Sequence, residues 1–210
     1  VTCEGYAVAL HGPSRGTSTS GSGKVNQTSL EELLNYFVRG QDGEITDTKV
    51  SLVEELLQNY GTKTKWNLDL KEGRIEDDLT QVIYNLDLQN RIVLSGLKPS
   101  DARRTVVSNS DLNVLVNLSK VDQLFVALKF IAPLYMRYRF RSLSRESSVI
   151  AINMHYRYVS KQIIREIHNL GLEVWVYTVD DAELFSALFA NGVDSITTNL
   201  PVEMKDSFHF

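Results

Sequence analysis

The segment Trp66–Lys71 places polar side chains of three different chemistries at every second residue. Because side chains alternate between the two faces of a strand, Asn67, Asp69 and Lys71 share one face of a strand predicted over 63–70. A carboxylate beside a lysine suits a hard divalent cation and an anionic substrate. An internal ion pair between Asp69 and Lys71 explains the pattern equally well, because polar groups at the end of a buried strand need a partner.

Three histidines lie in or shortly after predicted strands and helices, and each is a possible catalytic residue. His11 follows the apolar run Ala7–Leu10, which predicts a short strand. Active sites of parallel barrels collect at the carboxyl ends of the strands, so His11 is a candidate catalytic residue, with an ordinary loop histidine as the alternative. His155 follows a predicted strand over 149–153 without a supporting motif. His168 lies inside a predicted helix, where a surface or packing role is favoured.

Two glycine signatures for nucleotide binding are absent from the sequence. Gly21–Lys24 has the letters of a phosphate loop, but Ser18 and Val25 stand where that motif needs glycine and a hydroxyl residue. The stretch from 12 to 23 is therefore interpreted as a flexible surface loop. A dinucleotide fold would need a glycine fingerprint between a strand and a helix, and none occurs.

Short apolar runs and amphipathic runs alternate along the chain, which predicts a mostly parallel sheet, either closed into a barrel or open. Seven strands are one fewer than an eight-stranded barrel contains. No linker rich in proline or glycine divides residues 1–210, so one domain is predicted. The predicted strands are 7–10, 63–70, 91–95, 113–118, 149–153, 173–178 and 195–198. The predicted helices are one beginning at Ser29 and those over 49–60, 75–84, 100–107, 121–134, 160–169 and 181–190.

Composition excludes several classes of protein. With 210 residues, 43% hydrophobic and 23% charged, the chain is an ordinary globular one, and its net charge of -4 argues against a general nucleic-acid binder. The single cysteine, Cys3, excludes an intrachain disulfide framework and most zinc sites. The longest apolar stretch, Leu124–Leu134, contains Lys129 and is too short to span a bilayer. The basic segment Arg137–Ser148 is interpreted as a loop or helix end whose cations are solvated.

The two C-terminal strand–helix segments contain the runs HNLGLEVWVYTVD at 168–180 and NGVDSITTNLP at 191–201. These runs resemble the pattern "GxxVxVWTVN…LGVDGIITDxP" of the glycerophosphodiester phosphodiesterase family. Four upstream segments extend the resemblance from Thr2 to Pro201. Thr2–Gly12 is similar to "TKDGxPVVxHD", Thr17–Gly23 to "RTTNGxG", Asn67–Lys71 to "NIEIK" and Arg91–Ser95 to "RVIISSF".

This resemblance implies a TIM-type (β/α)8 barrel of the kind found in phospholipase C-like phosphodiesterases. It implies hydrolysis of glycerophosphodiesters to an alcohol and glycerol 3-phosphate, with two histidines as acid and base and a divalent metal, Ca or Mg. By position, His11 matches the second histidine, Asp69 the metal-binding carboxylate and Lys71 the lysine beside it. Tyr177 takes the place of the tryptophan that lines the substrate pocket. The implied partner is a small glycerophosphodiester or a phospholipid head group in lipid metabolism, not nucleic acid.

The sequence departs from the family pattern at several positions. Gly12 replaces an aspartate, Asp69 replaces a glutamate, and Asn199 replaces an aspartate. The family segments "HRG", "PENT" and "ExD" would precede Val1, so we expect a barrel that lacks its first strand–helix unit. Three hypotheses follow: a metal-dependent hydrolase, a catalytically impaired binding module of the same family, and an inactive fragment of a complete enzyme.

Overall fold

The computed structural model describes residues 1–11, 18–40, 42–72, 75 and 77–208, and for 206–208 it describes the backbone alone. The chain divides into two compact units, Val1–Val93 and Leu94–Phe210. The single domain over 1–210 stays a prediction. In the part of the chain that is described, no helix has the length and apolar character needed to cross a membrane.

In the residues that the structure describes, the first unit has three α-helices and three strands before a fourth strand that continues into the second unit. Two of the strands form an antiparallel pair, in which Phe37 faces Lys49 and Arg39 faces Ile45. This pair was not predicted, because the polar side chains of the second strand hide its alternation; Gly43, at φ 85°, supplies the turn between the two strands. The helices are α1 (Leu30–Leu33), α2 (Val53–Tyr60) and α3 (Asp77–Asn85). The strands are β1 (Phe37–Arg39), β2 (Ile45–Lys49) and β3 (Trp66–Asp69).

The predicted first strand, Ala7–Leu10, is wrong. The segment forms only an isolated antiparallel bridge between Val8 and Leu52. Hydrogen bonds of 3.0 Å run from the Ala9 N–H to the Ser51 carbonyl and from the Val53 N–H to the Ala7 carbonyl. These backbone groups are thus satisfied by the segment that leads into α2, and no strand continues beyond them. The predicted loop over 12–23 lies outside the described residues at 12–17.

The second unit alternates strands and helices, as predicted. Its strands follow one another in the order β4, β5, β6, β7 and β8, and the pairs from β5 to β8 are parallel. The strands are β4 (Ile92–Leu97), which begins at the end of the first unit, β5 (Asn113–Asn117), β6 (Val149–His155), β7 (Glu173–Tyr177) and β8 (Ser195–Ile196). The helices are α4 (Pro99–Ser108), α5 (Lys120–Ala127), α6 (Ala132–Phe140), α7 (Lys161–His168), α8 (Ala182–Ala190) and α9 (Pro201–Phe208).

Buried central strands and capped helices explain why this unit folds as it does. Ile152 and Val174 are completely buried, as expected for parallel strands that are covered on both faces. Helix α7 begins where the Ser160 hydroxyl accepts the Ile163 N–H at 3.3 Å, and α8 begins where Asp181 caps its first turn. Each cap fixes the point at which the chain leaves a strand end and turns back over the sheet.

Candidate functional site

The polar face of β3 is arranged as the alternation predicts. Asn67 and Asp69 are exposed, whereas Trp66 and Leu68 are partly buried. The Lys71 ammonium lies 2.5 Å from the Asp69 carboxylate, and the two side chains keep 35% and 48% of their exposure. The ion pair between Asp69 and Lys71, which was the alternative explanation of the sequence pattern, is therefore present. Both partners remain within reach of solvent.

A cavity of about 420 Å³ in the first unit brings three of the predicted site residues together. His11, Asp69 and Lys71 all line it, and Glu72 adds a second carboxylate. The rest of the wall is largely apolar, with side chains from the 7–10 segment, α2 and β3. An apolar cavity with a few convergent polar groups is the usual form of a small-molecule site.

His11 ends the segment that pairs with 51–53 and is exposed to solvent. Its carbonyl oxygen accepts a hydrogen bond from the buried hydroxyl of Ser18, which fixes the backbone at this point. The backbone that carries the imidazole is therefore hydrogen-bonded both through the preceding segment to 51–53 and through the His11 carbonyl to Ser18. Gly12, which replaces the family aspartate, lies outside the described residues.

The donor set around Asp69 does not by itself make a metal site. Within the ranges that the structure describes, no group of three or more His, Cys, Asp or Glu side chains could hold a metal ion. The carboxylate of Asp69 is moreover engaged by Lys71. Calcium takes six to eight oxygen ligands, so these described residues alone do not fit it.

Tyr177, predicted to bind substrate, lies in the second unit at the carboxyl end of β7. Its ring is partly buried and meets the His155 ring edge-on, with centroids 6.0 Å apart. Tyr156 stacks on the same imidazole at 4.5 Å and Tyr158 approaches it edge-on at 6.3 Å. The Nδ1 atom of His155 accepts the Arg157 N–H at 3.2 Å, so in the neutral imidazole the proton resides on Nε2.

Two asparagines near these strand ends were not predicted as site residues. Asn117 and Asn153 face each other in the register of β5 and β6, and Asn153 is 8% exposed. The Asn117 Oδ1 accepts the Gly96 N–H at 3.1 Å and the Asn153 Nδ2 at 3.5 Å. The sequence signal that could have identified them is an asparagine after an apolar run on two successive strands.

Asn199 replaces the family aspartate and has a defined structural partner. Its backbone N–H donates to the Oδ1 of Asp180 at 2.7 Å, and its side-chain amide donates to Oδ2 at 2.8 Å. The Thr198 hydroxyl adds a third hydrogen bond, at 2.9 Å. The backbone N–H and the side chain of Asn199 hold the pKa of Asp180 below its usual value. An amide at position 199 therefore serves a carboxylate at position 180.

His168 has the structural role that its helical position favours. Its Nε2 lies 2.8 Å from the Asp194 carboxylate, and the same carboxylate oxygen accepts the Val174 N–H at 2.7 Å. The end of α7 is thereby tied to β7 and to the turn before β8. His168 does not line the cavity that contains His11.

The model of the glycerophosphoryl diester phosphodiesterase family matches residues 1–203. The chain belongs to this family. A glycerophosphodiester phosphodiesterase from Caldanaerobacter subterraneus is 22% identical over 208 residues, which cover 96% of this chain and 79% of the relative. The family is one of hydrolases that act on phosphoric diesters, and the resemblance seen in the sequence is confirmed.

Solved structures of phosphodiesterases have the same fold. A glycerophosphoryl diester phosphodiesterase from Parabacteroides distasonis superposes with a TM-score of 0.70 at 18% identity, over 99% of this chain and 72% of its own. A phosphodiesterase from Oleispira antarctica, solved with the product sn-glycerol-3-phosphate, gives a TM-score of 0.71 at 16% identity, over 100% of this chain and 82% of its own. The likeness shows an α/β fold of the TIM-barrel kind, as predicted.

Proposed function

We propose that this member of the phosphodiesterase family hydrolyses glycerophosphodiesters to an alcohol and glycerol 3-phosphate. The observation that carries the proposal is the cavity whose wall includes His11, Asp69 and Lys71, in a chain that the family model matches from 1 to 203. The relative from Oleispira antarctica, which has the same fold, was solved with sn-glycerol-3-phosphate as its product. That product is one of the two expected here.

Lys71 and His11 can divide the chemistry of phosphodiester cleavage. The Lys71 ammonium, held 2.5 Å from Asp69, would offset the negative charge of the phosphoryl oxygens. His11 would act as the general acid and give a proton to the alcohol oxygen as its bond to phosphorus breaks. Water supplies the oxygen that takes its place on phosphorus and gives up a proton, which replaces by way of solvent the proton that His11 donated. The products are the free alcohol and glycerol 3-phosphate.

Tyr177 supports a separate proposal for substrate binding. Its partly buried ring stands at the carboxyl end of β7, beside His155, and barrel enzymes build their sites at that end of the strands. An aromatic face there would contact the glycerol carbons or the apolar part of a head group. Substitution of Tyr177 by leucine, which keeps an apolar side chain, should raise KM more than it lowers kcat.

Asp69 is proposed as one ligand of a divalent cation, Ca or Mg, whose other oxygen ligands would come from the substrate phosphate and from water, because the described residues alone do not complete a site. Magnesium is commonly held by one or two carboxylates together with substrate phosphate, so such binding would depend on the substrate. We expect the Asp69→Ala variant to bind the cation more weakly than the parent chain in calorimetry with glycerol 3-phosphate present. Equal affinities in the two proteins would remove Asp69 from the metal site, and Asp47→Ala is the matched carboxylate control.

A catalytically impaired binding module is the second candidate function. The ion pair between Asp69 and Lys71 favours it, because each group already satisfies the charge of the other. Such a module would bind glycerol 3-phosphate or a glycerophosphodiester without turnover. Binding measured by calorimetry, with no product released, would support this function over the hydrolase.

Hydrolysis of glycerophosphocholine and glycerophosphoethanolamine by the purified chain tests the proposal directly. Release of glycerol 3-phosphate is measured with Ca²⁺, with Mg²⁺ and with EDTA. We expect His11→Ala to lower kcat by about 10² to 10⁴, the usual contribution of a general acid. His168→Gln changes a histidine outside the cavity and should leave kcat unchanged. No product from the folded parent chain would contradict the hydrolase, and equal rates in the parent and His11→Ala would remove His11 from the mechanism.

A further inference from the structure

Helices α5 and α6 are joined at residues 128–131 and carry an apolar stripe that faces solvent. On α5 the exposed apolar residues Val121, Leu124 and Phe125 have the i, i+3 and i+4 spacing of one helical face. On α6, Leu134 and Tyr138 lie four residues apart. We call these residues the hairpin surface. They are Val121, Leu124, Phe125, Leu128, Phe130, Ile131, Leu134 and Tyr138.

The same two helices bury a different set of side chains, so the hairpin surface is not needed for packing within the unit. Val126, Met136 and Phe140 are buried and supply the core side of the same two helices. Across the hairpin, the Phe125 ring stacks on the Tyr135 ring with centroids 4.6 Å apart. The two exposed stripes are therefore continuous, and the helices have a second apolar face in addition to the one that packs in the unit.

Exposure is greatest at the tip and along α6. Phe130 is fully exposed, and Leu134 and Tyr138 keep 69% and 84% of their exposure. Single exposed apolar residues are ordinary, but a contiguous patch of large ones marks an interaction surface.

The hairpin is also the basic part of an acidic chain. The hairpin together with the five residues after it, 120–145, contains six lysines and arginines and one acidic residue, a net charge of +5, whereas the whole chain carries -4. The one acidic residue, Asp122, is buried and paired with Arg139 at 3.0 Å. Among the described residues, the other five cations have no ion-pair partner. They are Lys120, Lys129, Arg137, Arg141 and Arg145.

We propose that the hairpin surface docks on a membrane surface that contains anionic lipids. Interfacial helices combine exposed leucine and phenylalanine with lysine and arginine beside them, so that apolar side chains enter the acyl boundary while cations meet the head groups. Lys129 at the tip and Arg137 and Arg141, spaced four residues apart beside Tyr138, match that arrangement. The rest of the chain carries a net negative charge, which would turn this basic surface toward an anionic bilayer.

Charge argues against a second copy of the chain on this surface, and side-chain chemistry argues against RNA. In a two-fold dimer the same patch meets itself, so a second copy would bring the cations of the hairpin against the same cations. An RNA would be attracted by the cations, but single strands are bound by stacking on aromatic rings. Phe125, Phe130 and Tyr138 supply such rings, but aliphatic side chains lie among them and suit acyl chains better than bases. They are Leu124, Leu128 and Leu134.

Vesicle sedimentation with the full chain tests the proposal. Phosphatidylcholine vesicles are compared with vesicles of phosphatidylcholine and phosphatidylserine, at low and at high salt. We expect binding to the anionic vesicles, weakened by salt, and little binding to phosphatidylcholine alone. The variant Leu128→Ser/Phe130→Ser should bind about tenfold or more weakly, because two apolar side chains no longer enter the bilayer. Arg137→Gln/Arg141→Gln should also weaken binding about tenfold, since each cation near the surface contributes.

Matched controls remove the same chemistry elsewhere. Val107→Ser/Val202→Ser replaces two exposed apolar residues outside the hairpin, and Lys49→Gln/Lys65→Gln removes two cations from the first unit. Both should bind like the parent chain. Circular dichroism establishes whether each variant is folded. If Leu128→Ser/Phe130→Ser does not fold, vesicle binding by Arg137→Gln/Arg141→Gln tests the proposal.

Three outcomes would overturn the proposal. The first is equal binding of the hairpin variants and the controls. The second is absence of binding to both kinds of vesicle by the folded chain. The third is loss of self-association, or of binding to single-stranded RNA, in the hairpin variants while vesicle binding is unchanged, which would assign the surface to a second copy or to nucleic acid.

Discussion

At the carboxylate of Asp180, three hydrogen bonds from residues 198 and 199 meet two oxygens. The segment after β8 is held in this way beside the loop that follows β7. Asn199 can donate from its side chain as well as from its backbone, and an aspartate at the same position would have no side-chain proton to donate at neutral pH. The departure from the family pattern at position 199 is thus coupled to the charge of Asp180.

The variant Asn199→Asp should lower the melting temperature at pH 7. It replaces a 2.8 Å hydrogen bond with two neighbouring carboxylates, whose repulsion raises their pKa values in the folded state. A raised folded-state pKa gives a loss of stability above it that disappears as the pH falls and the carboxylates become protonated. Thermal melts from neutral to acidic pH measure this. Asn90→Asp adds the same charge at an exposed position and should show no such pH dependence.

Individual site residues differ in how far the sequence could predict them. The shared face of Asn67, Asp69 and Lys71 follows from alternation along one strand, and the structure has it. The sequence predicted either a cation site or an ion pair between Asp69 and Lys71. It could not distinguish them, because alternation sets the face of the strand but not the rotamers that bring the two charges together. Asn117 and Asn153 depend on the register between β5 and β6, which a single sequence does not contain.

At the level of elements, α5 and α6 are joined by a buried carboxylate network. Asp122 accepts the Ser119 N–H at 2.8 Å, the Tyr135 hydroxyl at 2.6 Å and the Arg139 guanidinium at 3.0 Å. Burial raises the pKa of Asp122, but the hydrogen bonds and Arg139 outweigh it, so the pKa is lowered. Burial and the bond to Asp122 raise the pKa of Tyr135 to about 12. The two helices therefore depend on one ionised group.

The network predicts how stability changes with pH. Because the folded-state pKa of Asp122 is lowered, its contribution is present above the pKa of an unfolded aspartate and is lost as the pH falls through the folded-state pKa. The contribution of Tyr135 is present below the pKa of an unfolded tyrosine and is lost as the pH rises through about 12. Both contributions are intact at pH 7.

We expect Asp122→Asn to reduce the free energy of unfolding at pH 7 by about 1 to 3 kcal/mol, since hydrogen bonds to a charged group are lost and Arg139 is left unpaired. The difference from the parent chain should shrink at acidic pH, where Asp122 itself becomes protonated. Urea unfolding at several pH values measures it. Asp111→Asn, at an exposed aspartate, is the control. A constant difference at all pH values would mean that the amide disturbs packing and that the charge is unimportant.

The break between α5 and α6 was predicted as continuous helix over 121–134, and that prediction is wrong. Pro133 lies in the first turn of α6, where proline is tolerated because its missing N–H would have no partner. Inside one long helix the same ring would clash with the preceding turn, so the chain must break before it. The basic segment predicted as a loop or helix end from Arg137 accordingly begins inside α6 and continues past its end.

Considered as a whole molecule, the chain follows its apolar pattern closely in the second unit and less closely in the first. Runs such as Val149–Asn153 and Glu173–Thr178 were predicted as strands because a short apolar run between helical patterns has few other structures. The first unit contains the strand prediction that failed and the antiparallel pair that was missed. Its segments are short and polar, and pairing partners far along the chain decide their structure.

The basic hairpin has a practical consequence for handling the protein. A chain with a net charge of -4 is expected to adsorb to an anion-exchange resin and to pass through a cation-exchange resin. Resins respond to the local charge of the surface that meets them, so the basic segment 120–145, with a net charge of +5, should retain the same molecule on both. Arg137→Gln/Arg141→Gln should elute earlier from the cation exchanger and later from the anion exchanger. Retention on the two resins would thus show whether the positive charge is concentrated in one part of the surface, without a lipid or a substrate.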